Sequence, residues 1–255
     1  AQHCEEPTLI GGGAMNAGPL ATRLGLGGRP AVAEELIIQR DVMLNASIGC
    51  RYHVQHMSSA GGVEIVKRAQ KQGQPVTAEV APHHLLLTED RCETYDPNYK
   101  MNPPLRTQSD IKALLKGVKD GVITILGTDH APHTREEKEL EFSASPSGII
   151  GLDCALPLYV MALIESGTID WPRLIAMMTV NAADLCGLAT KGRLSEGADA
   201  DVTIIDPSAE WTIDVDDFKS RSRNSPYHGW KVTGRAIATI VDRKFKLNRD
   251  RERLK

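Results

Sequence analysis

Aromatic side chains and paired cysteines are both scarce in this chain of 255 residues. Phe, Trp and Tyr together make up 4% of the residues, so the core must be built mainly from aliphatic side chains. The cysteines are odd in number, widely spaced and free of any CxxC pair, so neither a disulfide framework nor a cysteine zinc site is indicated. This usage favours a reducing cytoplasm. The cysteines are Cys4, Cys50, Cys92, Cys154 and Cys186.

Long apolar runs, a signal peptide and an excess of positive charge are missing as well. No apolar run reaches the roughly 18 residues of a membrane span, so no membrane association is expected. The 33 acids and 30 bases give a net charge of -3, and the only run of bases is the tail "RDRERLK", so no nucleic-acid surface is predicted. This mixed-charge tail is typical of a frayed end. Because the chain begins "AQHCEE" without a methionine, we expect a fragment.

Strand-like and helix-like segments alternate from Arg51 to about Gly187. "CRYHVQHMS", "PVTAEVAPHH" and "VITILGTDH" have the composition of strands, the last of them buried on both faces. Helices are predicted for "GGVEIVKRAQKQG", "SDIKALLKGVKDG" and "DWPRLIAMMTVNAADLCG", the last as one helix capped by Asp170. This order predicts a parallel α/β architecture, with its site at the carboxyl ends of the strands.

An open doubly wound sheet would give a similar string of elements, but no GxGxxG follows a strand. The glycine-rich stretches 9–18 and 24–28 lack the P-loop lysine, and we interpret them as loops. After about Lys191 the segments are short, alternating and β-branched, which predicts a small β unit with a structural role. The predicted domains are residues 1–190 and residues 191–255.

Three segments place a possible metal ligand near a strand end: His3 in "QHCEE", His56 in "YHVQHMS" and Asp129 in "GTDHAPH". Imidazole and carboxylate suit zinc and similar divalent ions, which lower the pKa of bound water toward ~7. A nearby aspartate can then accept and return the proton. A single strand histidine is more often a hydrogen-bonded core residue, whereas a carboxylate directly after an apolar strand is costly to bury unpaired.

His53 and His56 stand three positions apart and would point to opposite faces of a regular strand. Only one of them can then face the predicted site. His56 is nearer the carboxyl end of the strand and is the better candidate, which leaves His53 as a packing or supporting residue.

Seven motifs occur in the order seen in one enzyme family: "HCEE", "HVQHMS", "EVAPHHLLLT", "KMNPPLR", "TDHAPHTREEK", "SGIIGLDCALPL" and "GRLSEGADADVTIID". Together they resemble the dihydroorotases of the long-chain bacterial class, in the cyclic amidohydrolase superfamily, over essentially all 255 residues. "KMNPPLR" and "TDHAPHTREEK" are the most specific of the seven.

The resemblance implies a fold, an activity and a cofactor. The chain would be the second half of a (β/α)8 TIM-type barrel followed by a small β-sandwich segment. The complete protein would be a cytoplasmic, zinc-dependent dihydroorotase, with one or two ions, which reversibly hydrolyses L-dihydroorotate to N-carbamoyl-L-aspartate in pyrimidine synthesis. Possible partners are the missing half of the barrel, a second copy of the chain and aspartate transcarbamoylase.

The same resemblance assigns roles to individual residues. His3, His56 and Asp129 would be metal ligands, with Asp129 also the general acid and base. The substrate-binding positions would be Asn102, His133, Pro146 and Gly148.

This chain departs from the family pattern in two respects. The His-x-His pair, the carboxylate-binding arginine and the metal-bridging residue of the family's early strands are not in this sequence, so we expect the chain alone to be inactive. Ser147 stands where a bulkier aromatic residue is expected. Two other classes stay open: a related cyclic amidase such as allantoinase or dihydropyrimidinase, and a non-catalytic scaffold subunit for aspartate transcarbamoylase.

Overall fold

The computed structural model describes residues 1–249 and divides them into two compact units. Unit 1 comprises residues 1–153 and 215–227, and unit 2 comprises residues 154–214 and the chain from residue 228 onward. The predicted boundary at residues 190 and 191 stays a prediction. All but the first residue of the "RDRERLK" tail lies outside the described residues. Within residues 1–249 no helix is long and apolar enough to cross a membrane.

Unit 1 alternates strands and helices as the sequence predicts. Its elements in chain order are α1 (Pro7–Ile10), β1 (Met15–Asn16), α2 (Pro19–Leu24), β2 (Gly28–Arg29), α3 (Ala31–Ile48), β3 (Tyr52–Val54), α4 (Ala60–Lys71), β4 (Val76–Val80), α5 (Pro82–Leu86), α6 (Gln108–Asp120), β5 (Ile125–Leu126) and α7 (Arg135–Lys138). Short 3-10 helices cover Glu89–Thr94, Pro97–Tyr99 and Val215–Asp217. Strands β3, β4 and β5 form a parallel sheet in that order, which confirms the α/β class.

Helices α4 and α6 follow from their sequence patterns. The predicted apolar face of α4 is buried, and Ser59 caps the helix by accepting a hydrogen bond from the Gly62 N–H. Thr107 begins α6 with a capping box, in which its side chain and that of Asp110 each accept a backbone N–H. The two helices pack against each other, and α3 packs on α4. The buried face of α4 consists of Val63, Ile65, Val66 and Ala69.

A buried ion pair joins separate parts of unit 1. Arg106 and Glu34 are 4% and 3% exposed, and an Arg106 nitrogen lies 3.7 Å from a Glu34 oxygen. Arg106 also donates to Asn16 Oδ1 at 2.7 Å, and the Glu34 carboxylate accepts the backbone N–H of Ser58 at 2.8 Å. The two buried side chains neutralise each other's charge. Their contacts connect β1, α3 and the segment after β3 to the "KMNPPLR" segment.

Two interpretations of unit 1 require correction. The glycine-rich stretches are not loops throughout, because β1 and β2 pair in parallel, with Met15 opposite Gly28. A Cβ at Gly28 would lie 2.6 Å from Ala17, so glycine is what permits this approach. The predicted long strand "VITILGTDH" contributes only Ile125–Leu126 to the sheet, and Leu126 is half-buried rather than buried.

Unit 2 contains helices followed by an antiparallel sheet. Its elements are α8 (Ala155–Tyr159), a π-helical turn (Val160–Ile164), α9 (Trp171–Met178), α10 (Val180–Leu185), β6 (Val202–Thr212), β7 (Lys231–Val241) and β8 (Lys244–Asn248). The three strands form one antiparallel sheet in chain order, in agreement with the strand-like segments predicted after Lys191.

The single helix expected over residues 170–187 is two helices, although Asp170 caps the first one as predicted. Thr179 separates α9 from α10 with φ -131° and ψ -89°. Its hydroxyl donates to the Ile175 carbonyl at 2.6 Å. A threonine hydroxyl that bonds back in this way competes with the helical ladder and bends the helix.

Candidate active site

His3 and His56 lie together although 53 positions separate them in the chain. The segment that carries His3 runs parallel to β3, because Gln2 pairs with Val54 in an isolated bridge. His3 Nδ1 lies 3.1 Å from His56 Nε2, with the ring planes inclined by 67°. Burial, and then the proximity of His56, lowers the pKa of His3. The His3 imidazole is therefore neutral near pH 7, which is the form that binds a metal.

His56 and Asp129 share an uncommon backbone conformation. Among residues 1–249 the non-glycine residues with positive φ are His56 at 32°, Asp129 at 48°, Tyr95, Asp242 and Arg243. The last two form the turn between β7 and β8, and Tyr95 ends a 3-10 helix. His56 and Asp129 instead follow strands β3 and β5. Such backbone outliers concentrate at functional sites, which supports the choice of these two residues.

Glu79 lies between the ends of β3 and β5. Its carboxylate accepts hydrogen bonds from His53 Nε2 at 3.2 Å and from the His56 N–H at 3.3 Å. Burial alone would raise the pKa of Glu79, but the hydrogen bonds and charges of the two histidines hold it below the usual range. A Cβ at Gly127 would lie 2.7 Å from this carboxyl group, so a side chain there would push the Glu79 carboxylate out of its present position.

The two histidines fit a zinc ion as part of a larger ligand set. Two imidazole nitrogens at adjacent tetrahedral positions would stand ~3.3 Å apart, close to the observed separation of 3.1 Å. His56 Nδ1 is buried without a hydrogen-bond partner. Burial lowers the pKa of His3, whereas the negative charge of Asp129 raises it. Asp129 therefore lies near His3. Residues 1–249 hold no cluster of three or more such ligands, so the assignment of Asp129 as a ligand stays a prediction.

Asn102 is connected to the histidines through Glu5. Its Nδ2 donates to Glu5 Oε2 at 3.4 Å, and the same oxygen lies 3.7 Å from His3 Nε2. Arg29 balances the Glu5 charge at 3.1 Å. The Oδ1 atom of Asn102 is buried and has no hydrogen-bond partner, so an acceptor beside the histidines is available to a ligand.

The two histidines of "TDHAPH" have different surroundings. His133 Nε2 lies 2.9 Å from the Ser147 carbonyl oxygen, which can only accept, so this nitrogen carries the proton. His130 Nδ1 accepts the backbone N–H groups of Gly151 and Leu152, both at 3.2 Å. His130 therefore holds the backbone of Gly151 and Leu152 in place.

Pro146 and Gly148 lie in a segment without helix or strand that adjoins His133. Their carbonyl oxygens accept hydrogen bonds from Lys138 Nζ at 3.0 and 3.1 Å. The chain that follows Gly148 pairs with the chain after Asp129, because Ile149 and His130 form a parallel bridge. The predicted substrate positions are thus adjacent to the segment that carries Asp129.

A cavity of about 600 Å³ opens beside His133 in unit 1. Bases outnumber acids in its lining, which includes Lys138, Arg221 and Asn224 but neither His3 nor His56. The cavity therefore reaches the predicted substrate side of the site and not the paired imidazoles.

Gly148 is expected to tolerate no side chain. Its φ of 111° is open to glycine alone, and a Cβ would lie 2.6 Å from the Ala131 side chain. We expect Gly148→Ala to lower the free energy of unfolding by about 1–2 kcal/mol, measured by chemical denaturation. Gly12→Ala is the matched control, because a Cβ there has no neighbour within 4 Å. Equal midpoints for the two variants would contradict the expectation.

The sequence interpretation missed four supporting residues: Glu5, Glu79, Lys100 and Lys138. Glu79 carried a usable signal, because it is a charged residue within the strand-like run "VTAEV". The two lysines carried none, since lysine side chains are ordinarily exposed.

Comparison with known families agrees with the motifs. The amidohydrolase family model matches residues 32–245, and a dihydro-orotase-like model matches residues 1–61. The two matches together cover both histidine segments and the segment of Asp129.

Several curated dihydroorotases are similar to the chain. That of Syntrophotalea carbinolica is 49% identical over 240 residues, which are 94% of this chain and 56% of that protein. That of Caldanaerobacter subterraneus subsp. tengcongensis is 42% identical over 250 residues, which are 98% of this chain and 58% of that protein. The chain therefore spans little more than half the length of these relatives.

Solved structures of hydantoinases share the fold. L-hydantoinase (dihydropyrimidinase) from Arthrobacter aurescens superposes with a TM-score of 0.82 and 33% identity, over 87% of this chain and 50% of that one. D-hydantoinase (dihydropyrimidinase) from Thermus sp. superposes with a TM-score of 0.83 and 27% identity, over 96% of this chain and 56% of that one. With a family model that covers most of its length and an α/β fold shared with these enzymes, the chain belongs to the amidohydrolase family.

Proposed function

We propose that the protein containing this chain is a zinc-dependent dihydroorotase, which reversibly hydrolyses L-dihydroorotate to N-carbamoyl-L-aspartate. The proposal rests on the proximity of His3 and His56, whose ring nitrogens lie 3.1 Å apart. The similarity to dihydroorotases, at 49% and 42% identity, supports this substrate over those of other cyclic amidases.

In this proposal the chain supplies the second half of a (β/α)8 barrel and a small β-sandwich segment. The parallel order β3, β4, β5 and the antiparallel sheet of unit 2 support the two parts. The remaining strands would come from an N-terminal half, as expected if the complete protein has the length of its relatives. A homodimer, association with aspartate transcarbamoylase and a cytoplasmic location belong to the same proposal.

His3, His56 and Asp129 would hold the zinc, one ion or two, together with residues from the rest of the protein. When bound, zinc lowers the pKa of water and polarises the carbonyl group of a cyclic amide. Asp129 would accept the proton of the attacking water and deliver it to the ring nitrogen that leaves. Glu79 fixes the backbone at His56 through its 3.3 Å hydrogen bond.

The substrate would lie between Asn102, His133 and the backbone of Pro146 and Gly148. The free Oδ1 of Asn102 can accept a ring N–H. His133 presents a ring that can donate to the substrate carboxylate when it is protonated. The backbone of Pro146 and Gly148 would contact the pyrimidine ring.

Assays of the complete protein with dihydroorotate, dihydrouracil and allantoin test the proposal. We expect turnover of dihydroorotate alone. The second candidate is a dihydropyrimidinase-type amidase, which the similarity to the hydantoinase structures favours. Turnover of dihydrouracil or allantoin without dihydroorotate would establish such an amidase, and turnover of none of the three would favour the scaffold subunit.

A further inference from the structure

Side chains from elsewhere in unit 1 bind most of the carbonyl groups of the loop formed by residues 143–148. Five of its six carbonyl oxygens accept a side-chain hydrogen bond, which satisfies backbone that has no helix or strand partner. The pairs are Lys100 Nζ with Ser143 O (2.8 Å) and Ser145 O (2.6 Å), Lys138 Nζ with Pro146 O (3.0 Å) and Gly148 O (3.1 Å), and His133 Nε2 with Ser147 O (2.9 Å).

Both lysines are buried, which is rare for this residue type. Lys100 is 6% and Lys138 is 9% exposed. Removing an ammonium group from water disfavours its charged form. Burial accordingly lowers the pKa of Lys100, and it lowers that of Lys138 to about 8, with the charge of Asp96 acting in the opposite direction. Burial of two ammonium groups destabilises the fold. Their four hydrogen bonds to backbone carbonyl oxygens offset this effect.

We propose that Lys100 and Lys138 are positioning residues, which fix the 143–148 loop so that the backbone of Pro146 and Gly148 meets the ring of a cyclic-amide substrate. This inference rests on the proposed function. Neither lysine is among the residues assigned to the metal or to proton transfer. Their effect passes through the loop, because a charge-assisted hydrogen bond to a carbonyl is about twice as strong as a neutral one.

Gly148 is bonded to both lysine residues, to Lys100 through the lysine backbone and to Lys138 through the lysine side chain. Its N–H donates to the Lys100 carbonyl at 2.8 Å, and its own carbonyl accepts from Lys138 Nζ and from Asn224 Nδ2, the latter at 3.2 Å. Lys100 also stands two positions before Asn102 in "KMNPPLR". The loop and the free amide oxygen of Asn102 are therefore placed by one short segment.

The alternative is that the lysines only stabilise the fold, as buried polar groups often do. A stabilising role alone predicts lower thermal stability with unchanged substrate affinity. A positioning role predicts a higher KM in protein that remains folded. The two roles are separated by steady-state kinetics together with amide hydrogen exchange of the loop.

Lys100→Met and Lys138→Met in the complete protein are the test variants, because methionine keeps the length of the side chain but removes its donors. Lys112→Met is the matched control, since Lys112 is an exposed residue of α6. We expect each test variant to raise the KM for dihydroorotate by ~10-fold, with kcat within ~3-fold, if it loses ~1.4 kcal/mol of binding. Exchange of the 143–148 amides should rise, and the control should match the wild type.

Lys138→Arg keeps the positive charge and several N–H donors, so its exchange rate and KM should lie closer to the wild-type values than those of Lys138→Met. It also serves as the second variant if the methionine substitution prevents folding. A loosened loop with an unchanged KM would overturn the positioning role, and unchanged exchange in both methionine variants would overturn the role of the lysines in holding the loop. If the wild type does not turn over dihydroorotate, the proposed function fails, while the exchange measurement still decides whether the lysines hold the loop.

Discussion

Asp129→Asn in the complete protein is expected to leave the fold intact and to reduce kcat for dihydroorotate by ~100-fold or more, the usual range for loss of a general acid and base. Asparagine has nearly the same shape as aspartate and tolerates the positive φ of 48° at this position. The amide neither accepts a proton from water nor returns one to a leaving nitrogen. The fall should therefore appear in kcat, with the circular dichroism spectrum unchanged.

Asp242→Asn is the matched control for this experiment. Asp242 has a φ of 50°, almost that of Asp129, but it lies in the turn between β7 and β8. The control makes the same chemical change in the same backbone conformation, so it isolates the loss of the carboxylate from any effect on the turn. If Asp129→Asn retained near-normal turnover, Asp129 would not be the proton carrier.

The parts of the fold that the sequence predicts are those in which local pattern and tertiary structure agree. Helices α4 and α6 have apolar residues at helical spacing and capping residues at their first turns, so burial and local propensity favour the same structure. The break at Thr179 was not predicted, because it depends on a hydroxyl that bonds Ile175 O, and the apolar pattern continues across it. The β1–β2 pair was missed because two-residue strands have no periodicity to detect.

The candidate site likewise has some features that the sequence predicts and others that only the folded structure shows. The sequence predicts the position of Asp129 at the end of β5, because a carboxylate after an apolar run is conspicuous, although β5 is shorter and less buried than that run suggests. The choice of His56 over His53 rested on regular strand alternation, but β3 ends at Val54 and His56 has a positive φ. Alternation therefore does not reach His56, and what supports the choice is its 3.1 Å approach to His3. That contact spans 53 positions of the chain, so only the folded structure supplies it.

The buried lysines illustrate what a single sequence conceals. "NYKMNPP" and "REEKEL" both read as polar surface, and nothing in either predicts that the ammonium group turns inward to backbone carbonyls. Their partners are 43 and 45 positions away for Lys100, and the loop that they hold has no regular structure. Irregular loops leave no hydrophobic period, so their tertiary hydrogen bonds are visible only once the chain is folded.

His56→Ala in the complete protein is expected to weaken zinc binding by at least ~100-fold, more than the 10–100-fold typical of losing an outer hydrogen-bond partner of a ligand. His56 supplies a ring nitrogen beside that of His3, and alanine leaves His3 as the only imidazole of this pair. We expect elemental analysis after dialysis to show the loss of the bound zinc, with turnover falling in parallel.

Two histidine variants make the result on His56 specific. His228→Ala removes an exposed histidine paired with Asp214 at 3.5 Å, and its zinc content should equal that of the wild type. His53→Ala removes the ring that donates to Glu79 and should weaken zinc binding less than His56→Ala, because Glu79 keeps its bond to the His56 N–H. Unchanged zinc in His56→Ala, with loss in His53→Ala, would move the ligand to His53 and leave the 3.1 Å contact between His3 and His56 as a packing interaction.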